Sequence, residues 1–235
     1  MRAATLAPRI TELRTCSRAR APIRHMPVTS IASSKPDSSQ SAVVGERDVH
    51  AEKWIKLVQV EYTDPLGKRR TWDAVRRTTT KRDSEADAVC VFATLKRAGA
   101  EDEVLLVRQF RPACGTETIE LPAGLIDDGE SAETSALREL KEECGYVGVV
   151  RGKTPAVVLS PGLSDESVVM VEVDVDADAE ENKNVSQALE GSEFITVIRC
   201  PKSELLSALD AFSASGVRVF AGLYTVAWAL ARENL

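Results

Sequence analysis

The stretch from Gly124 to Tyr146, GLIDDGESAETSALRELKEECGY, constrains the fold more than any other part of the chain. A turn at residues 127–129 precedes Ser131, whose hydroxyl can cap a helix, and nothing breaks a helix before Gly145. At about 100° per residue, one apolar stripe collects on this helix: Ala136, Leu137, Leu140 and Cys144. The pattern predicts an amphipathic helix that ends at Cys144 and lies with one face on a core.

The other faces of this helix concentrate carboxylates. Glu139 and Glu143 lie one turn apart, and Arg138 and Glu142 lie four residues apart on the next flank. Like charges at this spacing cost about 0.2–0.5 kcal/mol on an isolated helix, and a divalent cation between them reverses that sign. Mg²⁺ prefers carboxylate oxygens and often completes its shell with waters and substrate phosphates. The two glutamates predict a magnesium site beside a phosphate; the alternative is a solvated acidic face without a ligand.

The spacing of seven residues in this stretch resembles the Nudix box: Gly124, Glu130, Arg138, Glu139, Glu142, Glu143 and Gly145. One position departs from the pattern, because Tyr146 stands where a bulky aliphatic residue is usual. The resemblance implies hydrolysis of a nucleoside diphosphate linked to another moiety, with Mg²⁺ or Mn²⁺ as the cofactor. It also implies an α/β fold, the Nudix α/β/α sandwich, here with a small N-terminal antiparallel β domain.

Several further segments resemble the eukaryotic ADP-sugar pyrophosphatases, the ADP-ribose-hydrolysing branch of Nudix: KWIKL, TDPLGKRRTWDAVRRTT, VRQFRP, IELPAGLIDDGE, SPGLS and GSEF. The resemblance covers residues 52–230. It implies cleavage of ADP-ribose and related ADP-sugars to AMP and a sugar phosphate. It also implies a homodimer in which the N-terminal sheet is exchanged, so that each active site uses both subunits.

By position, the resemblance implies that adenine lies between Trp54 and Trp72, one from each chain. Other substrate contacts would come from Asp73, Arg77, Arg111 and Leu125. Asp73 stands where this branch usually has Glu, and Ser160 stands where a related enzyme has Asp.

The resemblance also implies which residues hold the metal and move protons. The metal ligands would be the Ala123 carbonyl and the carboxylates of Glu139, Glu143 and Glu193. Glu193 or Glu142 would accept a proton from the attacking water, and Arg138 would hold Glu142 in place.

Composition and pattern divide the chain into a leader with a linker (1–50), a β-hairpin domain (51–84) and a hydrolase domain (85–235). Residues 1–40 are rich in Arg, Ser, Ala and Pro, which predicts either an organelle transit segment or a disordered tail. A start at Met26 would remove most of the basic part. The expected location is intracellular: a mitochondrion or other organelle if the leader is used, otherwise the cytoplasm or nucleus.

Composition excludes several other classes of function. A net charge of −6 argues against a broad nucleic-acid surface. The sequence contains no run of 18 apolar residues, which argues against a membrane-spanning helix. The five cysteines lack CxxC spacing, which favours reduced thiols in an intracellular setting. With only His25 and His50 present, and neither near a convincing nucleophile, any general base should be a carboxylate.

Two functional alternatives stay open at this point. The tryptophans could stack an oxidised guanine as readily as an adenine, which would suit a housecleaning hydrolase of oxidised nucleoside diphosphates. A non-catalytic nucleotide-binding domain is the other alternative, although the complete carboxylate set argues against it.

Near the C-terminus, the polar loop 176–192 is typical of a lid, and Trp228 is expected in the core of a largely buried final helix.

Overall fold

The computed structural model describes residues 36–80 and 83–233. Residues 1–35, which make up most of the predicted leader, lie outside the described residues. Within the described part, no helix is both long enough and apolar enough to cross a bilayer.

A three-stranded antiparallel sheet opens the described chain, in the order β1 (Ala42–Ala51), β2 (Ile55–Thr63) and β3 (Arg69–Arg77). The turn between β2 and β3 forms as expected: Gly67 has φ of 77°, and the Asp64 carboxylate accepts hydrogen bonds from Leu66 N and Lys68 N. The sequence predicts a linker before residue 51 and a β-hairpin domain from that residue onward. This prediction is wrong, because β1 already occupies Ala42–Ala51 and adds a third strand to the hairpin. Ion pairs such as Lys56–Asp48, 2.8 Å apart, link β1 to β2.

The main sheet has nine strands, with β4 and β10 parallel at its centre. Its path runs β12-β6-β5-β4-β10-β8, while β7, β9 and β11 pair with β4, β10 and β5. The strands are β4 (Ala88–Lys96), β5 (Glu103–Arg111), β6 (Thr116–Glu120), β7 (Ala123–Leu125), β8 (Val149–Lys153), β9 (Val157–Val158), β10 (Ser167–Asp176), β11 (Thr196–Pro201) and β12 (Arg218–Val219).

Helices cover both faces of this sheet. On one face lies α1 (Ala132–Glu139), which continues as a π-helical turn over Leu140–Cys144 and packs in a core with Val89 and Val91. On the other face lie α2 (Leu205–Ala214) and α3 (Ala221–Glu233), whose buried leucines share a second core with Leu106. The α/β/α sandwich expected from the sequence is confirmed.

The final helix is amphipathic rather than largely buried. Leu223 and Ala227 face the core, but Trp228 is 48% exposed, and the guanidinium of Arg232 lies 3.6 Å from the centroid of its ring. Because Trp228 follows Ala227 by one residue, it points about 100° away from the buried stripe. The prediction of Trp228 in the core is therefore wrong.

Candidate active site

The ends of α1 and its π-helical turn are fixed by the residues that the sequence indicates. The Ser131 hydroxyl accepts a hydrogen bond from Thr134 N at 3.2 Å, which caps the first turn. Gly145 ends the helix with φ of 79°, and its N–H donates to Lys141 O at 2.9 Å. Between these ends, Leu140 and Cys144 are buried, so the carboxylate faces are held at a fixed rotation against the sheet.

Gly124 brings the backbone of β7 directly against the carboxylate of Glu139. A Cβ atom at Gly124 would lie 1.9 Å from Glu139 Oε1, which is closer than any side chain permits. A side chain at position 124 would therefore displace the Glu139 carboxylate, and the glycine leaves that carboxylate room beside the strand.

One arginine organises the carboxylates along the exposed edge of α1. Arg138 Nη1 donates to Glu139 at 2.8 Å and to Glu142 at 3.0 Å, and its Nε donates to Glu130 at 3.0 Å. Its Nη2 reaches the carbonyl of Leu125 at 2.9 Å, which ties the helix to β7. The hydrogen bond from Arg138 lowers the pKa of Glu130. The predicted pairing of Arg138 with Glu142 is confirmed.

Glu139 and Glu143 are both buried carboxylates, and they differ in that Glu139 is paired with Arg138. Glu143 is 4% exposed and accepts one hydrogen bond, from Ala123 N at 3.0 Å. Burial, together with the charges of Glu139 and Glu193, raises the pKa of Glu143 to about 8. Burial also raises the pKa of Glu139, although the neighbouring Arg138 opposes this. Two such groups facing one another favour the binding of a proton or a cation.

These residues fit an open divalent-cation site rather than a closed one. Across residues 36–80 and 83–233, no three acidic, histidine or cysteine side chains come close enough to enclose a metal. Mg²⁺ typically takes one or two carboxylates and fills the remaining positions with waters and substrate phosphates. Glu139 and Glu143 supply that donor set.

A cavity of about 850 Å³ opens beside α1 and β7. It brings together seven of the residues predicted from the sequence: Arg77, Arg111, Ala123, Leu125, Arg138, Glu139 and Glu193. Glu193 lies on the segment before β11, and its carboxylate accepts a hydrogen bond from Glu190 N at 2.9 Å. Glu142 and Glu143 do not line this cavity, although Glu143 accepts a hydrogen bond from the lining residue Ala123.

Arg77 ends β3 and Arg111 ends β5. Each of these arginines is held by a carboxylate that the sequence analysis does not predict. Glu120 accepts from Arg111 Nε at 2.8 Å and from Arg111 Nη2 at 2.9 Å. Glu166 accepts from Arg77 Nε at 2.5 Å, which ties the N-terminal sheet to the main domain. Nothing local in the sequence marks Glu166. The register of β5 and β6 places Glu120 opposite Val107 rather than Arg111, so strand pairing does not mark Glu120 either.

Trp54, Trp72 and Asp73 lie outside this cavity. Trp72 is 52% exposed, and its Nε1 donates to the carbonyl of Gly162 at 3.2 Å at the wall of a second cavity of about 500 Å³. Asp73 is the next residue on β3, so it points to the opposite face, where it accepts from Gln59 Nε2 at 3.0 Å.

The pairing register separates the two tryptophans widely within one chain. Trp54 lies opposite Thr78, because Thr78 N donates to Trp54 O at 3.1 Å. Trp72 is six residues from Thr78 along the strand, which corresponds to about 20 Å. Trp54 and Trp72 of the same chain therefore cannot hold one aromatic ring between them.

Comparisons with known proteins agree with this architecture. The family model of the NUDIX domain matches residues 84–220. An ADP-sugar pyrophosphatase of Mus musculus is 41% identical over 203 residues, which cover 86% of this chain and 93% of the mouse protein. An ADP-ribose pyrophosphatase of Saccharomyces cerevisiae is 43% identical over 144 residues, covering 61% of this chain and 62% of the yeast protein.

A solved structure supports the fold independently. The crystal structure of an ADP compounds hydrolase superposes with a TM-score of 0.57 at 20% sequence identity, covering 86% of this chain and 96% of that one. With the domain match, the mouse relative and the carboxylate helix packed on a mixed sheet, the chain belongs to the NUDIX family.

Proposed function

We propose that this chain hydrolyses the pyrophosphate bond of ADP-ribose and related ADP-sugars, giving AMP and a sugar phosphate. The observation that carries the proposal is a pair of buried glutamates beside a cavity that also presents Arg77 and Arg111. Glu139 lines this cavity, and Glu143 accepts a hydrogen bond from Ala123 of its wall. The 41% identity to a mouse ADP-sugar pyrophosphatase supports the choice of substrate class.

The divalent cation, Mg²⁺ or Mn²⁺, would be held by Glu139 and Glu143, with the Ala123 carbonyl and Glu193 as further ligands. When bound, the cation neutralises negative charge on the diphosphate and favours the ionisation of water. The close approach at Gly124 and the raised pKa of Glu143 both support this assignment.

The remaining residues bind, orient and accept a proton. Glu120 holds the Nε edge of Arg111, which leaves the other guanidinium N–H groups to bind the diphosphate, together with Arg77. Glu193 or Glu142 accepts a proton from the attacking water. The position of Glu193 in the cavity favours Glu193, because Glu142 is held by Arg138 outside it.

Adenine recognition in this proposal requires a second copy of the chain. Trp54 is 58% exposed, and the separation from Trp72 of about 20 Å prevents both from contacting one base within a chain. A homodimer that exchanges the N-terminal sheets would bring Trp54 of one chain to Trp72 of the other. It would also bury apolar side chains that this sheet exposes: Val43, Val44, Ile55 and Leu57.

A substrate panel tests the proposal. Purified protein is incubated with ADP-ribose, ADP-glucose and 8-oxo-dGDP, with Mg²⁺ or with EDTA, and kcat/KM is measured from product formation. We expect Mg²⁺-dependent release of AMP from the ADP-sugars and a loss of at least about 100-fold in kcat for Glu143→Gln. Preference for 8-oxo-dGDP would favour the housecleaning alternative, and binding without turnover would favour the non-catalytic one.

The dimer is tested separately by light scattering and by mixing variants. Trp54→Ala and Trp72→Ala proteins should each have a raised KM. If the sites are shared, a mixture of the two variants regains part of the normal affinity, because some sites then contain both tryptophans. A monomer in solution with full activity would contradict the shared site.

A further inference from the structure

The segment that carries Glu193 is fastened at both ends by one side chain. We name residues 189–194 the flap. Gln187, just before the flap, donates from Nε2 to the carbonyl of Glu143 at 2.6 Å and to the carbonyl of Ile195 at 3.1 Å. Ile195 directly follows the flap, so this amide links both ends of the flap to the helix that carries the candidate metal ligands.

The backbone next to Gln187 reinforces the same attachment. Ala188 N donates to the carbonyl of Glu142 at 2.8 Å. Ser186 lies so close to Gly145 that a Cβ atom on Gly145 would be 2.8 Å from Ser186 N. The last carbonyls of a helix have no partner within the helix. Here the π-helical turn presents the carbonyls of Glu142 and Glu143 to donors from this loop.

Packing holds the flap mainly at its first residue. Leu189 is half-buried against the core, whereas Phe194 at the other end of the flap is 83% exposed. Glu193 lies at this exposed end, so the hydrogen bond from Gln187 to the carbonyl of Ile195 holds the part of the flap that packing does not.

We infer that Gln187 is a positioning residue, which clamps the flap to the end of the π-helical turn and so fixes Glu193 over the catalytic cavity. The amide makes two hydrogen bonds, one to Glu143 at the end of the helical turn and one to Ile195 just after the flap, and a side chain without two donors cannot replace it. The clamp sets the position of Glu193 before a cation or substrate arrives. This inference rests on the proposed function, because it takes Glu193 as part of that site.

The test uses Gln187→Met, which keeps the length and bulk of the side chain but removes both donors. Asn184→Ala is the matched control, because Asn184 is an exposed amide on the same loop with no hydrogen-bond partner among the described residues. Steady-state kcat and KM for ADP-ribose with Mg²⁺ are measured, together with amide hydrogen exchange of the flap in metal-free protein. Gln187→Glu is a second variant, since its carboxylate would face two carbonyl oxygens.

We expect Gln187→Met to lower kcat by about 10- to 100-fold with KM changed less than about threefold, because Glu193 loses its fixed position. Exchange of the flap amides should be at least about tenfold faster in Gln187→Met and Gln187→Glu, and unchanged in Asn184→Ala. A lowered Tm with normal kcat and normal flap exchange would show a merely structural role and overturn the inference. Absence of turnover in the wild type would refute the proposed function instead, while the exchange comparison would still test the clamp.

Discussion

The buried Glu143 carboxyl should make the metal-free protein less stable as the pH rises. In the unfolded chain this group titrates near its ordinary pKa of 4.5, whereas burial raises the pKa in the folded protein to about 8. Between these values the folded protein binds one more proton than the unfolded chain. The protonated Glu143 carboxyl therefore makes its full contribution to the free energy of unfolding below about pH 4.5, and this contribution is lost as the pH approaches 8.

The magnitude follows from the size of the pKa shift. Each pH unit in this window costs the folded protein about 1.4 kcal/mol, so the loss at pH 7 is about 3 kcal/mol and approaches about 5 kcal/mol above pH 8. Glu143→Gln removes the titration but keeps an oxygen that can accept the hydrogen bond from Ala123 N. The raised pKa of Glu139 affects the free energy of unfolding of both proteins. To first order it therefore cancels in the difference between the wild type and Glu143→Gln.

The assay is urea denaturation in EDTA at several pH values, for the wild type and Glu143→Gln. We expect the variant to gain stability relative to the wild type by about 1.4 kcal/mol per unit between pH 5 and 8. Saturating Mg²⁺ should remove this trend from the wild type, because a cation favours the ionised form. Parallel stability profiles for the two proteins in EDTA would show that Glu143 ionises normally, and the reasoning from burial would fail.

Two further predictions follow from close packing. Gly124→Ala should lower kcat by at least about 100-fold, because the new methyl group would occupy the space of the Glu139 carboxylate, while Gly45→Ala, with open space around it, should leave kcat unchanged. Thermal unfolding of both proteins shows whether they remain folded. Trp228→Ala should change the free energy of unfolding by less than about 1 kcal/mol, whereas Leu223→Ala, on the buried face of the same helix, should cost about 3 kcal/mol. Equal losses for these two would contradict the orientation of that helix.

The bounds of the helix and the face that carries its carboxylates could be predicted, because the residues that determine them lie within the same short segment. Ser131 caps the first turn, Gly145 supplies a positive φ at the end, and the i, i+4 spacing of Glu139 and Glu143 fixes their common face. The π-helical turn could not be predicted in the same way. Its carbonyls are taken up by Gln187 and its neighbour, more than forty residues further along the chain.

The predictions for the segment of β1 and for Trp228 are wrong because burial there does not follow the sequence pattern. Nearly every residue of β1 is exposed, so the strand shows no alternation between a buried and a solvent face. Pairing with β2 along its whole length forms this strand. In α3 the residues are apolar on nearly all sides, so periodicity does not show which face contacts the core and does not reveal that Trp228 is exposed.

The cavity also shows why the arginines, which the sequence predicts, cannot alone account for binding a diphosphate. Its lining contains four arginines: Arg77, Arg111, Arg138 and Arg218. It contains six carboxylates: Glu120, Asp127, Glu139, Glu166, Glu190 and Glu193. Three of the arginines are already paired with carboxylates from the same wall, so a doubly charged substrate meets a cavity that is acidic on balance. A divalent cation held here would cancel this excess of two negative charges where the phosphates of the proposed substrate would lie, so the distribution of charge supports the proposed metal as well as the chemistry of the bond does.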